Sequence, residues 1–434
     1  MKIFKKIKVF IPYTPRRIFG IYCGTNTQEE LWIILKSIIK IIFFRKKISG
    51  LTKIFEKKFS NLTKQKYCLT YGSGRMALYS ILKSMKIKKN DQIILPAFTC
   101  VVVPNAIIYS GATPKYVDID IRNFNINYNL IEKSITKKTV AIYVQHTFGI
   151  KCDMKKIIQL AKKYKLKIIE DNAHYLNSNN KINSYIYASY YSLDHSKIIN
   201  THLGGVITTN NLSVYNKLKK QHRNIHELSK IDELRILISF FLEIIFLSPL
   251  FLWIGNTFLQ FLNYFKITFF FRDELLKQKP AYYPCKYNDY LAEIGINQIK
   301  NINKNLSHRK FISNFLEKKI KWYNFNNTQT SNQSWLRYSF LVNDRRKFVK
   351  IFNRNFKLDV WYTSIFQGRE KNYNEIRYDI GSCPTAEYVS KHIVNFPTHQ
   401  KIPKNIYKKI FNQKLDFIKK EINRKNLNLY RAIK

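Results

Sequence analysis

Short apolar runs alternate with amphipathic segments between about Leu51 and Asn210 of this 434-residue chain. The amphipathic segments, such as Met154–Tyr164 with Asp153 as its cap, predict helices between the strands. This alternation predicts an α/β fold with a mostly parallel sheet, helices on both faces and a ligand site at the carboxyl ends of the strands. The predicted strands are Gln92–Leu95, Tyr116–Ile119, Val140–Val144, Leu166–Ile169 and Val206–Thr209.

Composition indicates a folded, strongly basic protein that is long enough for two domains. Hydrophobic residues make up 45% of the chain, which excludes a disordered protein, and 75 Lys+Arg against 28 Asp+Glu give a net charge of +47. The charge reflects either a compositional bias or attraction to a polyanion, namely nucleic acid or an anionic membrane. No zinc-finger, RNA-recognition or helix-turn-helix signature accompanies it, so nucleic acid is the disfavoured partner.

The six cysteines are scattered and form no CxxC pair. This pattern disfavours a metal site and a disulfide framework, and it fits a reducing cytoplasm. The basic N-terminus lacks the continuous apolar stretch and the cleavage site of a secretory signal. We therefore expect a cytoplasmic protein without a bound metal.

An apolar segment, Ile236–Phe271, interrupts the alternating pattern and is itself broken at Ser248-Pro249. A single transmembrane pass would place Lys197 and the C-terminal third on opposite sides of a bilayer. If both parts belong to one enzyme, that topology is impossible. The segment therefore predicts a hairpin in the membrane interface, a re-entrant pair, or a buried or dimer-forming helix pair. Membrane contact would make the protein peripheral on the inner face of the membrane.

Four regions follow from these patterns. Thr27–Phe44 predicts a helix, and a long helix is predicted from Leu291 through Arg309, followed by strands at Arg337–Val342 and Val360–Thr363. The regions are an N-terminal basic arm and helix (1–50), a large cofactor-binding domain (51–231), an apolar helical insertion (232–277) and a smaller α+β C-terminal domain (278–434).

Two residues near strand ends suggest the chemistry. Asp171 follows the predicted strand Leu166–Ile169, and Lys197 lies seven residues before Gly204-Gly205 and the next predicted strand. A pyridoxal phosphate enzyme requires this pair, because the lysine holds the aldehyde as a Schiff base while the carboxylate keeps the pyridine nitrogen protonated. Lys197 and Asp171 are therefore the predicted catalytic residues.

Other residues fit the same cofactor. The glycine-bearing turn Ser73-Gly74-Arg75 opens a helix and could bind a phosphate, although such a turn is often only a helix start. Phe98 and His146 also follow predicted strands and are expected to converge with Asp171 on one crevice. Phe98 is a candidate to stack on the cofactor ring or a core aromatic, and His174 could reach the ring or be a core histidine. The predicted cofactor-binding residues are Ser73, Gly74, Arg75, Phe98, Asp171, His174, Ser192 and Lys197.

Ordered motifs along the chain strengthen this interpretation. They are Ser73-Gly74-Arg75, Pro96–Thr99, Gly111–Pro114, Val117–Asp120, His146–Gly149, Glu170–His174, Cys383–Glu387 and Asn395–His399. Together they resemble the DegT/DnrJ/EryC1/StrS family of sugar aminotransferases, fold type I pyridoxal phosphate enzymes. The resemblance runs from about Leu51 to His399. It implies a homodimer that transfers an amino group, usually from glutamate, to a nucleotide-linked keto-sugar for surface polysaccharide or lipopolysaccharide biosynthesis.

The chain also departs from the family pattern. Pro284-Cys285-Lys286 stands where the family has Asn-Tyr-Arg, and His202-Leu203 replaces Gly-Glu before the double glycine. In the family that asparagine and arginine reach the partner subunit's site. A dehydratase branch of the family has histidine at the lysine position, but this chain has Lys197 there, with His195 two residues earlier. The lysine disfavours a dehydratase. A sugar dehydratase and a non-catalytic protein that binds membrane or polyanion are the two alternatives to an aminotransferase.

Overall fold

The computed structural model describes residues 17–20, 28–43, 50–176, 184–265, 267–269, 279–280, 282–325, 332–353, 355–358 and 360–422. The predictions for the N-terminal arm before residue 17, for residues 270–278 and for residues 423–434 lie outside the described residues.

A seven-stranded sheet forms the centre of the large domain. The strands are β1 Tyr67–Tyr71, β2 Gln92–Pro96, β4 Thr113–Val117, β5 Thr139–Gln145, β6 Lys167–Asp171, β7 Ile186–Ser192 and β8 Gly205–Thr209, and a short β3, Thr99–Cys100, lies outside the sheet. The spatial order in the sheet is β1-β8-β7-β6-β5-β2-β4, and β8 runs antiparallel to both of its neighbours while the other pairs are parallel. The predicted mostly parallel α/β fold is thus confirmed.

Helices cover the sheet, and side chains cap the first turns of several of them. Ser73, Asp153 and Asn211 each accept a hydrogen bond from a backbone N–H in the helix that follows, as the Asp153 prediction required. The helices of this layer are α2 Leu51–Thr63, α3 Gly74–Ser84, α4 Val102–Tyr109, α5 Tyr128–Ser134, α6 Met154–Lys163 and α7 Leu212–Arg223.

The apolar insertion forms two packed helices, α8 Lys230–Phe246 and α9 Leu252–Tyr264. Ser248 and Pro249 lie in the turn between them, as predicted. The N-terminal helix α1, Gln28–Phe43, packs on α8, and Ile236, Leu237 and Phe240 join a buried cluster with the large domain. Among the described residues, no helix is both long and apolar enough to cross a membrane.

The part of the chain that was predicted as the smaller domain contains a two-stranded antiparallel sheet, a third short strand and flanking helices. The predicted long helix is two helices, α10 Asp289–Lys300 and α11 Ile302–Ile320, which meet at Asn301. The strand prediction at Val360–Thr363 is wrong: the segment is irregular, and the Trp361 N–H donates to the Asn395 side chain at 2.6 Å instead of to a strand. The remaining elements are β9 Arg337–Leu341, α12 Arg345–Phe352, β10 Phe366–Gln367, α13 Pro384–His392, β11 Ile393–Pro397, α14 Lys404–Gln413 and α15 Leu415–Glu421.

Candidate active site

A cavity of about 160 Å³ lies at the carboxyl ends of β6 and β7, between the large sheet and the irregular segment that holds Trp361 and Tyr362. Of the predicted site residues, the structure brings Gly74, Arg75, Asp171, His174, Ser192 and Lys197 to its wall. Ser73 lies beside it as the cap of α3. Phe98 does not line it.

Asp171 is the last residue of β6 and is almost fully buried. Its carboxylate accepts hydrogen bonds from the Tyr143 hydroxyl and, at 2.7 Å, from the Ala173 N–H. Tyr143 is held in turn by Tyr190 at 2.7 Å. Burial raises the pKa of the Asp171 carboxyl, and these hydrogen bonds and Lys197 oppose that rise. A cation placed against this carboxylate would favour its charged form further.

Glu170 points to the opposite side of β6, because side chains alternate along a strand. Its oxygens contact His146 at 3.1 Å, Ser189 at 2.5 Å and Asn172 at 3.0 Å. Burial would raise the pKa of Glu170, but these partners lower it to about 2. His146 is therefore occupied by Glu170 and lies outside the cavity wall, so the prediction that it joins Asp171 in one crevice is wrong.

Phe98 is also directed away from the cavity. Its fully buried ring packs edge-on against Tyr362 at 4.7 Å and against Phe148 at 6.2 Å. Of the two positions that the sequence allowed for Phe98, stacked on the cofactor ring or in the core, it occupies the core. The wall next to it is formed by Cys100 and by Gln145, whose amide contacts the Phe98 carbonyl at 3.1 Å.

Lys197 lies in a turn after β7, where its backbone N–H donates to the Asp194 carbonyl at 2.9 Å. Burial lowers the pKa of its amine from 10.5 to about 8, although Asp194 and Asp171 oppose the shift. At neutral pH a larger fraction of this amine is therefore neutral than for an ordinary lysine. A neutral amine is the nucleophile that attacks a carbonyl carbon.

The segment that carries Lys197 is irregular and is held by side chains of helices α10 and α11. Gln298 of α10 makes a reciprocal pair with the Asn200 backbone at 2.7 and 2.6 Å. Asn305 of α11 donates to the Ile198 carbonyl at 2.9 Å. These contacts fix a backbone that no regular element supports, and so they fix the direction of the Lys197 side chain.

The N-terminus of α3 forms one end of the cavity. A Cβ atom on Gly74 would lie 2.9 Å from the Ser192 Cβ, and one on Gly205 would lie 2.2 Å from the Ser73 carbonyl oxygen. Glycine at both positions therefore lets the backbone pack closely while the first turn of α3 presents N–H groups to the cavity. With Arg75 beside it, this end suits a phosphate group.

His174 is a neutral imidazole at the opposite wall. Its Nδ1 accepts the Phe148 N–H at 3.2 Å, and burial lowers its pKa well below 6.5. Since Nδ1 is an acceptor, the ring proton is on Nε2. His174 therefore offers one N–H donor and no positive charge.

Two aromatic residues that the sequence prediction missed cover the cavity from the small domain. They are Trp361 and Tyr362, in the segment that was predicted as a strand. The Trp361 ring lies 4.8 Å from the Lys197 amine and 3.5 Å from the Arg337 guanidinium carbon. Both are cation–π distances. The indole therefore packs directly against the amine and shields it from water.

Asp194 and His195 form an ion pair at 2.5 Å on the cavity wall, with about a third of each side chain exposed. Burial would lower the pKa of His195, but Asp194 and, more weakly, Glu243 raise it to about 9. His195 is thus cationic at neutral pH. The sequence interpretation assigned it no role in the site.

Comparison with known proteins shows which family the chain belongs to. The sequence pattern described as the DegT/DnrJ/EryC1/StrS aminotransferase family matches residues 47–230 and 272–413. The chain belongs to this family. The match leaves out residues 231–271, which hold nearly all of the α8–α9 helix pair.

Each curated relative described below aligns with only part of this chain. GDP-perosamine synthase of Escherichia coli O157:H7 is 36% identical over 38% of this chain and 46% of its own length. The dTDP-3-amino-3,6-dideoxy-alpha-D-galactopyranose transaminase of Aneurinibacillus thermoaerophilus is 36% identical over 52% of this chain and 64% of its own length. The chain thus spans about half the length of the curated relatives that it matches.

A solved structure supports the fold. NtdA from Bacillus subtilis, crystallised with bound cofactor PMP, superposes with a TM-score of 0.70 at 20% identity, covering 94% of this chain and 86% of that one.

Proposed function

We propose that this protein is a pyridoxal phosphate-dependent aminotransferase that moves an amino group, from glutamate, to a nucleotide-linked keto-sugar. The observation that carries the proposal is that Lys197, Asp171 and the N-terminus of α3 line one cavity. The cofactor supplies an aldehyde for attachment to an amine and a ring that accepts electrons. The close approach at Gly74 and the buried Asp171 carboxylate fit the phosphate and the ring nitrogen, respectively.

Each residue then has a defined task. Lys197 would hold the cofactor through its amine, and as a free amine it would hold or donate the proton that moves at the substrate carbon. The negative charge of Asp171 would keep a ring nitrogen protonated. Ser73, Gly74, Arg75 and Ser192 would bind the phosphate, and His174 would offer its Nε2–H as a neutral donor at the cavity wall. Trp361 excludes water from the amine.

Sugar nucleotides are the proposed substrates because the named relatives act on GDP- and dTDP-linked sugars. A sugar dehydratase is disfavoured, since position 197 carries a lysine whose amine is poised for attachment. A non-catalytic binding protein is disfavoured because the lysine, carboxylate and phosphate end come together in one cavity.

A substrate panel tests this proposal. We expect the purified enzyme, given glutamate and UDP-, dTDP- or GDP-linked keto-sugars, to yield an aminated sugar and 2-oxoglutarate in equal amounts, measured by mass spectrometry. Deoxygenated sugar without consumption of glutamate would support the dehydratase instead. No product from any member of the panel would contradict the sugar assignment.

We also propose a cytoplasmic homodimer, as the family implies, with peripheral contact to an anionic membrane through residues 236–271 and the neighbouring helix α1. Apolar side chains are exposed along the helix pair, at its turn and at the end of α9: Leu250, Phe251, Phe261, Tyr264 and Phe265.

Helix α1 supports an anionic lipid surface over a second protein copy. Its exposed face carries Trp32, Ile39 and Phe43, and Lys36 and Lys40 lie between them. A basic, apolar helix face of this kind binds the interface of anionic membranes. Pairing of two such faces would bring their lysines together, which opposes self-association.

Vesicle flotation measures this contact. We expect the protein to float with phosphatidylcholine vesicles that contain phosphatidylglycerol, and not with phosphatidylcholine alone. Replacing Phe261 and Phe265 by serine should reduce binding about tenfold, whereas Leu212→Ser, an exposed change on α7, should not. Equal flotation of both variants, or no flotation at all, would contradict membrane contact.

A further inference from the structure

The helix pair lies largely in the interval that the family pattern skips, yet α8 contacts the active-site segment directly. Glu243 Oε2 lies 2.9 Å from His202 Nδ1. Only 5% of the Glu243 side chain and 1% of the His202 side chain are exposed. An inserted residue is thus in contact with the stretch between Lys197 and β8.

His202 is where this stretch turns toward α8. Its φ of +69° is in the left-handed region, which is unfavourable for a residue with a side chain. The Asn200 side chain accepts its N–H at 2.9 Å, and its ring stacks on Phe240 of α8 at 5.5 Å and 22°. Helix α8 therefore both pairs with and packs on the residue that bears the backbone strain.

Other supports of the segment come from different directions. Gln298 and Asn305 hold residues 198 and 200 from α10 and α11. Backbone hydrogen bonds to Leu193, each at 2.9 Å, hold Thr201 and Gly204. The His202 side chain, by contrast, is held by α8. Removing one member of a buried pair takes a hydrogen bond away from the other, which is costly. Loss of Glu243 should therefore loosen this end of the segment while the other end stays attached.

We propose that Glu243 is a positioning residue of the active site: the inserted helix pair holds the Lys197 segment in its working conformation through His202. The catalytic part of this inference rests on the proposed function, because it requires Lys197 to bind the cofactor. The structural part, that Glu243 orders residues 198–204, stands independently of it.

Two measurements on the full-length protein test the inference. Glu243→Leu should speed amide hydrogen exchange in peptides covering residues 198–204 about tenfold, and it should weaken pyridoxal phosphate binding, followed by fluorescence, about tenfold. Glu243→Gln keeps an acceptor for His202 and should restore both values to within about threefold of wild type. His202→Asn, which tolerates the left-handed backbone but shortens the side chain, should resemble Glu243→Leu.

Ser239→Ala is the matched control. Ser239 is buried on the same helix, but its hydroxyl contacts Arg235 and Phe269, within the insertion. It should lower the melting temperature without changing exchange at 198–204 or cofactor affinity. If Glu243→Leu behaves like Ser239→Ala, Glu243 only stabilises the insertion and the proposal is wrong. If the wild type binds no pyridoxal phosphate, the proposed function fails, and hydrogen exchange still decides whether Glu243 orders the segment.

Discussion

Replacing Lys197 with alanine is expected to reduce amino transfer by about four orders of magnitude. Lys197 is the one lysine among the cavity-lining residues in the described part of the chain, and burial lowers its pKa to about 8. The variant loses both the attachment point and the group that moves the proton. The measurement is the rate of 2-oxoglutarate formation with glutamate and the accepted keto-sugar.

Two controls make this result specific. Lys156→Ala removes an exposed lysine that pairs with Asp153 at 3.6 Å on α6, and it should retain activity within about twofold. Added methylamine should restore part of the proton transfer in Lys197→Ala, because a free amine can occupy the space of the lost side chain. Turnover of Lys197→Ala at the wild-type rate would contradict the assigned role.

Asp171→Asn is expected to lower the rate about 100- to 1000-fold while leaving the cofactor bound. Asparagine matches the shape of the side chain and keeps an acceptor for Ala173, but it removes the negative charge that stabilises a protonated ring nitrogen. The expected signature is a loss in kcat that exceeds the change in cofactor affinity. Single-turnover kinetics with glutamate measures it.

Tyr143→Phe is the matched control for Asp171. It removes the hydroxyl that donates to Asp171 but leaves the carboxylate, so activity should fall by no more than about tenfold. A cofactor analogue methylated on the ring nitrogen carries the charge permanently and should partly restore Asp171→Asn. If Asp171→Asn is as active as the wild type, the carboxylate has a structural role only.

Much of the sheet could be predicted from its apolar runs. Strands β2, β5, β6 and β8 lie within two residues of their predicted ends because each is a short run of buried aliphatic residues. The strand near Tyr116 begins and ends earlier than predicted. Strands β1 and β7 were missed because tyrosine, serine and threonine dominate them. In β7 the polar side chains are buried and hydrogen-bonded to other buried residues, Ser189 to Glu170 and Tyr190 to Tyr143. Hydrogen bonds of this kind do not appear in the hydrophobic periodicity of the sequence.

In the site too, residues marked by nearby sequence features could be predicted, and residues brought in by folding could not. Lys197, Asp171 and the α3 turn were predictable because glycines and strand ends mark them locally. Phe98 and His146 follow strands too, but their side chains face away from the cavity, and strand position alone does not give that orientation. Trp361 and Glu243 come from distant parts of the chain, so only the folded structure brings Trp361 to Lys197 and Glu243 to His202.

Every catalytic role proposed for this protein requires that Lys197 binds pyridoxal phosphate covalently. Reduction of the reconstituted protein with borohydride, followed by proteolysis and tandem mass spectrometry, tests it directly. We predict one phosphopyridoxyl adduct per chain, on the peptide that contains Lys197 and at that residue. A protein that stays colourless and unmodified, or that carries the adduct on a different lysine, would contradict the account.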